Sequence, residues 1–258
     1  MYKMHSLHGL VVGLNPYFVD ANGDIVVCFT WHIFLFMYLC RQLTAVDISV
    51  LAPPIGLNIR MINKNTAMNY KDIINHYPDF PKPGIDFIDI LPFMHNSMAF
   101  RELLDDIAAN THCANVATVE ARGFLFASPL LAMTSTVKNI IPIRKKGKLP
   151  FSEGDLKSVE IEKEYGADCV FYRLSDIAAG VPEGDTFNIT FFDDILATGG
   201  TACGIAEALN RETVNIDGKV YKVKVKEFIF LVEFPDLYDH KRINDIAPVK
   251  SFITIDGD

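Results

Sequence analysis

The chain has 258 residues, half of them apolar and 22% charged, so it can bury a substantial core and does not have the composition of a disordered protein. Its formal net charge of −8 at pH 7 argues against a basic nucleic-acid-binding surface and favours a small-molecule partner. The five cysteines form no CxxC pair, which indicates neither a disulfide framework nor a zinc site and makes a reducing cytoplasm the expected compartment.

The first 67 residues differ in composition from the rest of the chain, with only four Lys or Arg and three Asp. Their apolar run at residues 25–40 has 16 residues, fewer than the roughly 20 that span a bilayer. We therefore expect an N-terminal extension (residues 1–67) of unknown role before a domain of residues 68–258, and we do not expect a membrane partner. A packed or poorly ordered appendage, a membrane anchor and an overextended gene model all stay open for the extension.

From residue 68 onward, apolar strands alternate with amphipathic helices, which is typical of an α/β domain with a mostly parallel sheet. Ser97 is expected to cap a helix, because apolar residues follow at helical spacing. The next predicted elements are a strand at 115–119, a helix at 124–133 and a strand at 140–143 that ends in the basic run RKKGK.

Two later segments differ sharply in character. Residues 148–166 are charged, contain Pro and Gly, and have little apolar periodicity, which predicts a mobile excursion outside the core. Residues 187–192 are nearly all apolar, as expected of a strand buried on both faces.

Residues 189–207 (ITFFDDILATGGTACGIAE) join that buried strand to two adjacent carboxylates and a glycine-containing turn before a helix. Backbone N–H groups of such a turn can converge on a phosphate, because glycines permit close approach and a helix N-terminus carries unpaired donors. Carboxylates at the carboxyl end of a strand suit hydrogen bonds to sugar hydroxyls. These groups predict a ribose phosphate site made by Asp193, Asp194, Ala197, Thr198, Gly199, Gly200 and Thr201.

The motif FFDDILATGGTA resembles the phosphoribosyl pyrophosphate signature of type I phosphoribosyltransferases. Three further segments narrow the resemblance to the adenine phosphoribosyltransferase family: YPDFPKPGIDFIDI at 77–90, VEARGFLFASPLLA at 119–132 and IRKKGKLP at 143–150. The resemblance implies a mostly parallel central sheet flanked by helices, with a small base-binding hood and a mobile loop. It also implies a cytoplasmic, homodimeric enzyme of purine salvage that converts adenine and phosphoribosyl pyrophosphate to AMP and pyrophosphate.

The resemblance assigns roles to the basic residues. Arg122, in the EARG motif, is implied to bind pyrophosphate, and the peptide bond between Glu120 and Ala121 is implied to be cis. Cations for the departing pyrophosphate are implied at Arg144, Lys145 and Lys148. The resemblance also implies that this strand end lies near a dimer interface, so that one of the three acts on the site of the neighbouring subunit. A solvated charge run is the alternative interpretation of this segment.

The KEYG segment matches the closing loop of the family, in which Glu164 is implied to contact the purine and transfer a proton beside Tyr165. Closure would exclude water from an oxocarbenium-like ribosyl centre. Mg²⁺ is the implied cofactor. Because it is bound mainly through substrate oxygens and water, no direct protein ligand is expected, and Asp193 is expected to reach it through water.

The base site is implied to use Phe87 for stacking, with backbone groups of its neighbours. Asp86 stands where the family usually has an apolar residue and Ile88 where it has a charged one, so the side-chain support must differ. No lysine suited to a 6-oxopurine stands on this segment, which favours adenine.

Three alternatives to the adenine enzyme stay open. The first is a transferase for hypoxanthine, guanine or xanthine. The second is a non-catalytic regulator that senses phosphoribosyl pyrophosphate through an N-terminal DNA-binding domain, against which the few basic residues of the extension argue. The third is a degenerate paralogue that binds nucleotide without turnover.

Overall fold

The computed structural model describes residues 18–19, 25–26, 68–163 and 166–256. The chain divides into two compact units, Met1–Lys64 and Asn65–Asp258. In the first unit, the described strands β1 (Phe18–Val19) and β2 (Ile25–Val26) pair antiparallel. Within the part of the chain that the structure describes, no helix is both long enough and apolar enough to span a bilayer. The remainder of the apolar run at 25–40 lies outside the described residues, so the role of the extension stays a prediction.

The second unit contains ten strands and six α-helices within its described residues. The strands are β3 (Asn75–Pro78), β4 (Asp86–Asp89), β5 (Asn115–Val119), β6 (Asn139–Lys145), β7 (Leu156–Lys163), β8 (Gly166–Arg173), β9 (Thr186–Leu196), β10 (Thr213–Ile216), β11 (Lys219–Glu233) and β12 (Val249–Thr254). The helices are α1 (Ser97–Asn110), α2 (Arg122–Ala127), α3 (Leu130–Met133), α4 (Leu174–Ala178), α5 (Gly200–Leu209) and α6 (His240–Ile246). Short 3₁₀ helices occur at Tyr70–Asp72, Leu91–His95 and Pro235–Leu237.

Eight of these strands form one sheet in the order β10-β11-β9-β5-β6-β8-β7, and β12 also pairs with β11. The pairs β5/β6, β5/β9, β9/β11 and β11/β12 are parallel, whereas β10/β11, β6/β8 and β7/β8 are antiparallel. The predicted α/β fold with a mostly parallel central sheet is therefore confirmed. Strands β3 and β4 form a separate antiparallel hairpin.

The central sheet separates two apolar cores. On β9, Phe191 belongs to the core on one side and the next residue, Phe192, to the core on the other, and both are fully buried. On β11, Phe228 belongs to the same core as Phe191, and Ile229 belongs to the same core as Phe192. Strands covered on both faces are nearly continuous in apolar residues, so the prediction for residues 187–192 is confirmed, within a longer strand.

The helices on one face follow the predicted pattern with two local differences. Helix α1 buries Leu103, Leu104 and Ile107, but its N-cap is Asn96, whose side chain accepts a hydrogen bond from the Ala99 N–H at 3.0 Å. The predicted cap at Ser97 is therefore one residue late. The helix predicted at 124–133 is divided into α2 and α3 around Pro129, which has no N–H to donate within a helix.

The prediction that residues 148–166 are a mobile segment outside the core is wrong for the second half of that segment. Residues Leu156–Lys163 form β7, which pairs with β8 along its whole length. Val159 and Ile161 are buried in the same core as helix α5. A Cβ atom at Gly204 of that helix would lie 3.9 Å from Val159 Cγ1, an ordinary packing distance, so β7 packs on α5 at this position. Alternate apolar residues among charged ones are the pattern of a half-buried strand, and the charge of the segment obscured it.

Candidate active site

Three chain segments meet at the carboxyl edge of the parallel strands. Val119, at the end of β5, pairs with Ile143 of β6, and Thr118 pairs with Phe192 of β9. The EARG motif, the basic run and the two adjacent aspartates follow directly on these paired positions. This is the edge where α/β sheets bind ligands, so the topology brings together the groups that the sequence analysis singled out separately.

The two aspartates differ in their surroundings. Asp194 is 8% exposed, and its backbone N–H donates to Asp193 Oδ1 at 2.9 Å. Burial raises the pKa of the Asp193 carboxyl well above its usual range, and the neighbouring Asp194 carboxyl raises it further, while the Asp194 N–H and the charge of Arg122 act in the opposite direction. Two carboxyls this close disfavour simultaneous ionisation, so the pair requires an external donor or positive charge to hold both negative.

The predicted phosphate turn follows β9 at residues 197–201. Gly199 has φ of +75° and is the N-cap of α5, and the N-terminus of this ten-residue helix has no side-chain cap. A left-handed conformation at this position favours glycine. The first backbone N–H groups of α5 therefore face the same edge of the sheet as the aspartates, where a helix N-terminus suits an anion.

Arg122 joins the aspartates to the base segment. Its Nε lies 2.6 Å from Asp194 Oδ2, its Nη1 donates to the Ile88 carbonyl at 3.4 Å, and its guanidinium carbon lies 5.5 Å from the centre of the Phe87 ring. Its side chain is 33% exposed. The structure thus places predicted pyrophosphate, ribose and base residues around a single guanidinium.

The basic run is organised by Glu120. This carboxylate accepts hydrogen bonds from Arg144 Nε at 2.8 Å and from the Lys145 backbone N–H at 2.7 Å. Burial acts to raise the pKa of Glu120, but these two donors outweigh it and the pKa is lowered. The Arg144 guanidinium also donates to the Lys148 carbonyl at 3.2 Å. Arg144 is therefore held by protein groups, whereas the side chains of Lys145 and Lys148 are exposed. The Glu120–Ala121 bond is cis, as the resemblance implied.

The β3–β4 hairpin explains the two unusual residues beside Phe87. Asp86 is exposed and pairs with His76 of the adjacent strand, the Asp86 Oδ2 to His76 Nδ1 distance being 2.7 Å. The Ile88 side chain is 2% exposed and belongs to the core beneath the hairpin. Phe87, between them, packs edge-on against Phe80 at 5.3 Å. Of these three residues, only Phe87 directs its side chain towards Arg122. At Asp86 and Ile88, strand β4 can therefore contact a base only through backbone groups.

Comparison with known proteins identifies the family. The chain is 35% identical over 178 residues to the adenine phosphoribosyltransferase of Roseiflexus sp. (strain RS-1), covering 68% of this chain and 92% of the relative. It is 32% identical over 192 residues to that of Brucella suis (strain ATCC 23445 / NCTC 10510), covering 73% and 95%. The chain belongs to the adenine phosphoribosyltransferase family. No protein-family model matches the chain.

Solved structures agree with this assignment. The adenine phosphoribosyltransferase of Thermoanaerobacter pseudethanolicus superposes with a TM-score of 0.58 at 33% identity, covering 72% of this chain and 98% of that chain. The Saccharomyces cerevisiae enzyme, complexed with an imino-altritol bisphosphate and adenine, superposes with a TM-score of 0.55 at 29% identity, covering 70% and 95%. The predicted family, fold and enzyme class are confirmed: an adenine phosphoribosyltransferase is a pentosyltransferase of purine salvage that makes AMP. The relatives do not favour the alternative functions.

Some predicted residues are not placed, and others were missed. Glu164 and Tyr165 lie between β7 and β8 in sequence and outside the described residues, so their roles in this adenine phosphoribosyltransferase stay predictions. The sequence analysis missed Glu120 as the partner of Arg144, and Thr118, a fully buried hydroxyl residue beside the aspartates. The sequence signal that could have identified Thr118 was a single hydroxyl residue in the otherwise apolar end of strand β5.

Proposed function

We propose that the residues around Arg122 form one active site that transfers the phosphoribosyl group to adenine. Adenine N9 forms a bond to the anomeric carbon, the bond from that carbon to the pyrophosphate oxygen breaks, and the configuration inverts. The proton lost from N9 passes to the Glu164 carboxylate. The observation that carries this proposal is the position of Arg122, which contacts Asp194 with its Nε and Ile88 with its Nη1. A ribose held by the aspartates is thereby next to a base held by the β3–β4 hairpin.

Each part of the donor has a proposed binding group. The turn at residues 197–201 binds the 5′-phosphate through its N–H groups and the hydroxyls of Thr198 and Thr201. Asp193 and Asp194 accept hydrogen bonds from the 2′ and 3′ hydroxyls, which supply the donors that two adjacent carboxylates need. Arg122 turns from Asp194 to the pyrophosphate once the sugar hydroxyls replace it.

The departing pyrophosphate is stabilised by exposed cations at the end of β6. Lys145 and Lys148 have no side-chain hydrogen bond to the described residues that would hold them in place, so they can follow the substrate. Arg144 contributes its charge from a fixed position, because Glu120 and the Lys148 carbonyl hold its guanidinium. Electrostatic stabilisation of a leaving group is strongest where the charges are already in position.

We propose Mg²⁺ as the cofactor of this reaction. Within the described residues no cluster of three or more His, Cys, Asp or Glu could hold a metal ion. The adjacent carboxylates fit a hydrated cation, because they offer hard oxygen donors, and the negative charge of Asp194 is, after burial, a cause of the raised pKa of Asp193. Asp193 would hold such a cation through water, and the cation would neutralise charge on the pyrophosphate.

We also propose that the protein is a homodimer and that it acts in the cytoplasm. Leu125, Leu131 and Met133 leave apolar side chains exposed on the α2–α3 segment, and exposed apolar side chains of this kind suit a subunit interface. Cys113 and Cys203 are buried free thiols, which agrees with a reducing compartment. Light scattering coupled to gel filtration measures the subunit number: a monomer at micromolar concentration would contradict the homodimer.

The proposed function is tested by incubating the full chain with Mg²⁺, phosphoribosyl pyrophosphate and one of four purines: adenine, hypoxanthine, guanine or xanthine. Adenine should be consumed fastest, with one pyrophosphate released for each AMP formed. Preference for a 6-oxopurine would contradict the base assignment. Binding of the donor without turnover of any purine would instead indicate a protein that senses the donor.

A further inference from the structure

The proposed function gives no role to one buried hydroxyl at the carboxyl edge of the parallel strands. Thr118, the fourth residue of β5, is fully buried. Within residues 68–163 and 166–256, its Oγ1 atom has no hydrogen-bond partner. Buried hydroxyls nearly always have a partner, and an exception calls for an explanation such as a catalytic role. The rest of β5 is packed between its two neighbouring strands, so the hydroxyl cannot turn to solvent.

The surroundings of this hydroxyl point to Asp193. A Cβ atom at Gly123 would lie 2.6 Å from Thr118 Oγ1, 3.4 Å from Asp193 Oδ1 and 3.8 Å from the Phe192 carbonyl oxygen. The bare α-carbon of Gly123 therefore faces three oxygen atoms. Of these, only the Thr118 hydroxyl can donate a hydrogen bond. The other two are acceptors, and Asp193 Oδ1 already accepts from the Asp194 N–H.

We propose that Thr118 is a positioning residue for the ribosyl donor: when the donor binds, the Thr118 hydroxyl, which has no hydrogen-bond partner among the described residues of the free protein, donates to Asp193 and holds that carboxylate in the orientation that accepts the ribose hydroxyls. The inference rests on the proposed function, because it takes Asp193 as a ribose ligand. Thr118 itself does not touch the reacting atoms. Its contribution is to the orientation of Asp193 beside Asp194, whose Oδ2 lies 2.6 Å from Arg122 Nε in the free protein.

Two substitutions separate the hydroxyl from the shape of the side chain. Thr118→Val removes the hydroxyl and keeps the branched shape, whereas Thr118→Ser keeps the hydroxyl. We expect Thr118→Val to raise the KM for phosphoribosyl pyrophosphate about tenfold, the effect of one hydrogen bond to a charged group, with kcat and the KM for adenine within about twofold of wild type. Thr118→Ser should recover most of the donor affinity.

A matched control is available at Thr111, which is 3% exposed and donates from its hydroxyl to the Ile107 carbonyl at 2.8 Å in helix α1. Thr111→Val should lower the melting temperature and leave the KM for the donor unchanged. Thr118→Val should show the opposite pattern, because the hydroxyl that it removes has no partner in the free protein. A loss of melting temperature in Thr118→Val without a change in KM would show a structural role and overturn the proposal.

Binding measurements keep this inference distinct from the proposed function. Calorimetry with phosphoribosyl pyrophosphate and with AMP, which both carry the ribose diol, should show about tenfold weaker binding to Thr118→Val than to wild type. Pyrophosphate alone, which has no ribose, should bind both proteins equally. Equal weakening for all three molecules, or none, would overturn the role of Thr118. Absence of turnover by the wild-type chain with all four purines would instead refute the proposed function.

Discussion

The Nε atom of Arg122 lies 2.6 Å from Oδ2 of Asp194, so the first residue of helix α2 contacts the second of two carboxyls on strand β9. Each residue would be costly alone at this place, since Asp194 is buried and the guanidinium is two-thirds covered. In the free protein the two charges compensate each other at this distance, although Asp194 Oδ2 has no hydrogen-bond partner within the described residues. Under the proposed function, substrate binding replaces these partners: sugar hydroxyls take the place of Arg122 at Asp194, and pyrophosphate takes the place of Asp194 at Arg122.

Arg122 should be sensitive even to a substitution that keeps its charge. Lysine cannot reproduce the planar donors that contact both Asp194 and the Ile88 carbonyl, so Arg122→Lys should lower kcat/KM roughly 10- to 100-fold for both substrates. Steady-state kinetics with each substrate varied in turn would measure this. Arg101→Lys, on the exposed face of helix α1, is the control, and equal kinetics for the two variants would refute the role of Arg122.

Glu164 should be essential for turnover and dispensable for folding. Loss of a group that transfers a proton in the transition state typically costs about 10²-fold or more, so Glu164→Ala should lower kcat by at least that factor. Glu160→Ala, an exposed position on strand β7, should be near wild type. Single-turnover rates with preformed complexes would separate chemistry from binding, and a normal rate for Glu164→Ala would remove it from the mechanism.

Gly123 should tolerate no side chain while Thr118 is present. The Cβ atom of Gly123→Ala would lie 2.6 Å from Thr118 Oγ1, closer than packed atoms approach, and such overpacking costs about 1–3 kcal/mol of unfolding free energy. Gly204→Ala is the control, because its Cβ would meet its nearest neighbour at 3.9 Å. Denaturant unfolding should show that adding Thr118→Ala to Gly123→Ala recovers stability. An additive loss in the double variant would contradict this explanation.

Glu227, which is not assigned to the proposed site, should make folding sensitive to acid. Burial acts to raise the pKa of this carboxyl, but hydrogen bonds from Thr190 and from the backbone and ring of His112 outweigh it and lower the pKa. Because the folded-state pKa is below the unfolded one, this stabilisation is present above the ordinary value of 4.5 and is lost as the pH falls through the folded-state pKa.

Glu227→Gln should therefore lower the free energy of unfolding by about 1–3 kcal/mol at pH 7 and flatten its decrease below the ordinary carboxylate pKa. Urea unfolding at several pH values would measure both changes. Turnover of the folded variant should be unchanged, because the hydrogen-bond partners of this carboxylate, Thr190 and His112, do not belong to the proposed site. An unchanged acid dependence would show that other carboxyls determine it.

The domain of residues 68–258 should be active without the extension. Every residue assigned to the site lies beyond residue 85, and the second compact unit begins at Asn65. We expect the shortened chain to be soluble, with kcat/KM for adenine within about twofold of the full chain, a difference of less than 0.5 kcal/mol. Insoluble or inactive protein would show that the extension contributes to folding or catalysis.

The sequence predicted the central elements because their signals were local. Strand β5 has its predicted bounds, and the phosphate turn follows β9 as the motif indicated. Strand β7 was missed because Val159 and Ile161 stand in a segment rich in charged residues, and only the helix packed against them shows that they are buried. A half-buried strand and an exposed loop have similar compositions when the strand is at a sheet edge.

The contacts of the site could not be predicted, because they join residues that are far apart in sequence. Nothing local in the base segment indicates that Asp86 pairs with His76, a contact that removes the need for an apolar residue there. Likewise, Arg144 was expected to face the substrate, but Glu120 holds it. The residue types therefore predicted which chemical groups lie at the carboxyl edge of the sheet. The pairing of the strands determines which of these side chains already bind another protein group, and the sequence alone does not show that pairing.

Helix α5 begins at the phosphate turn and lies along strand β7, which leads in sequence to Glu164. The same ten-residue helix therefore presents its uncapped N-terminus to the proposed phosphate site and packs its side against the strand that precedes the proposed proton-transfer residue. Under the proposed function, a substitution that displaces this helix is expected to impair donor binding and proton transfer together.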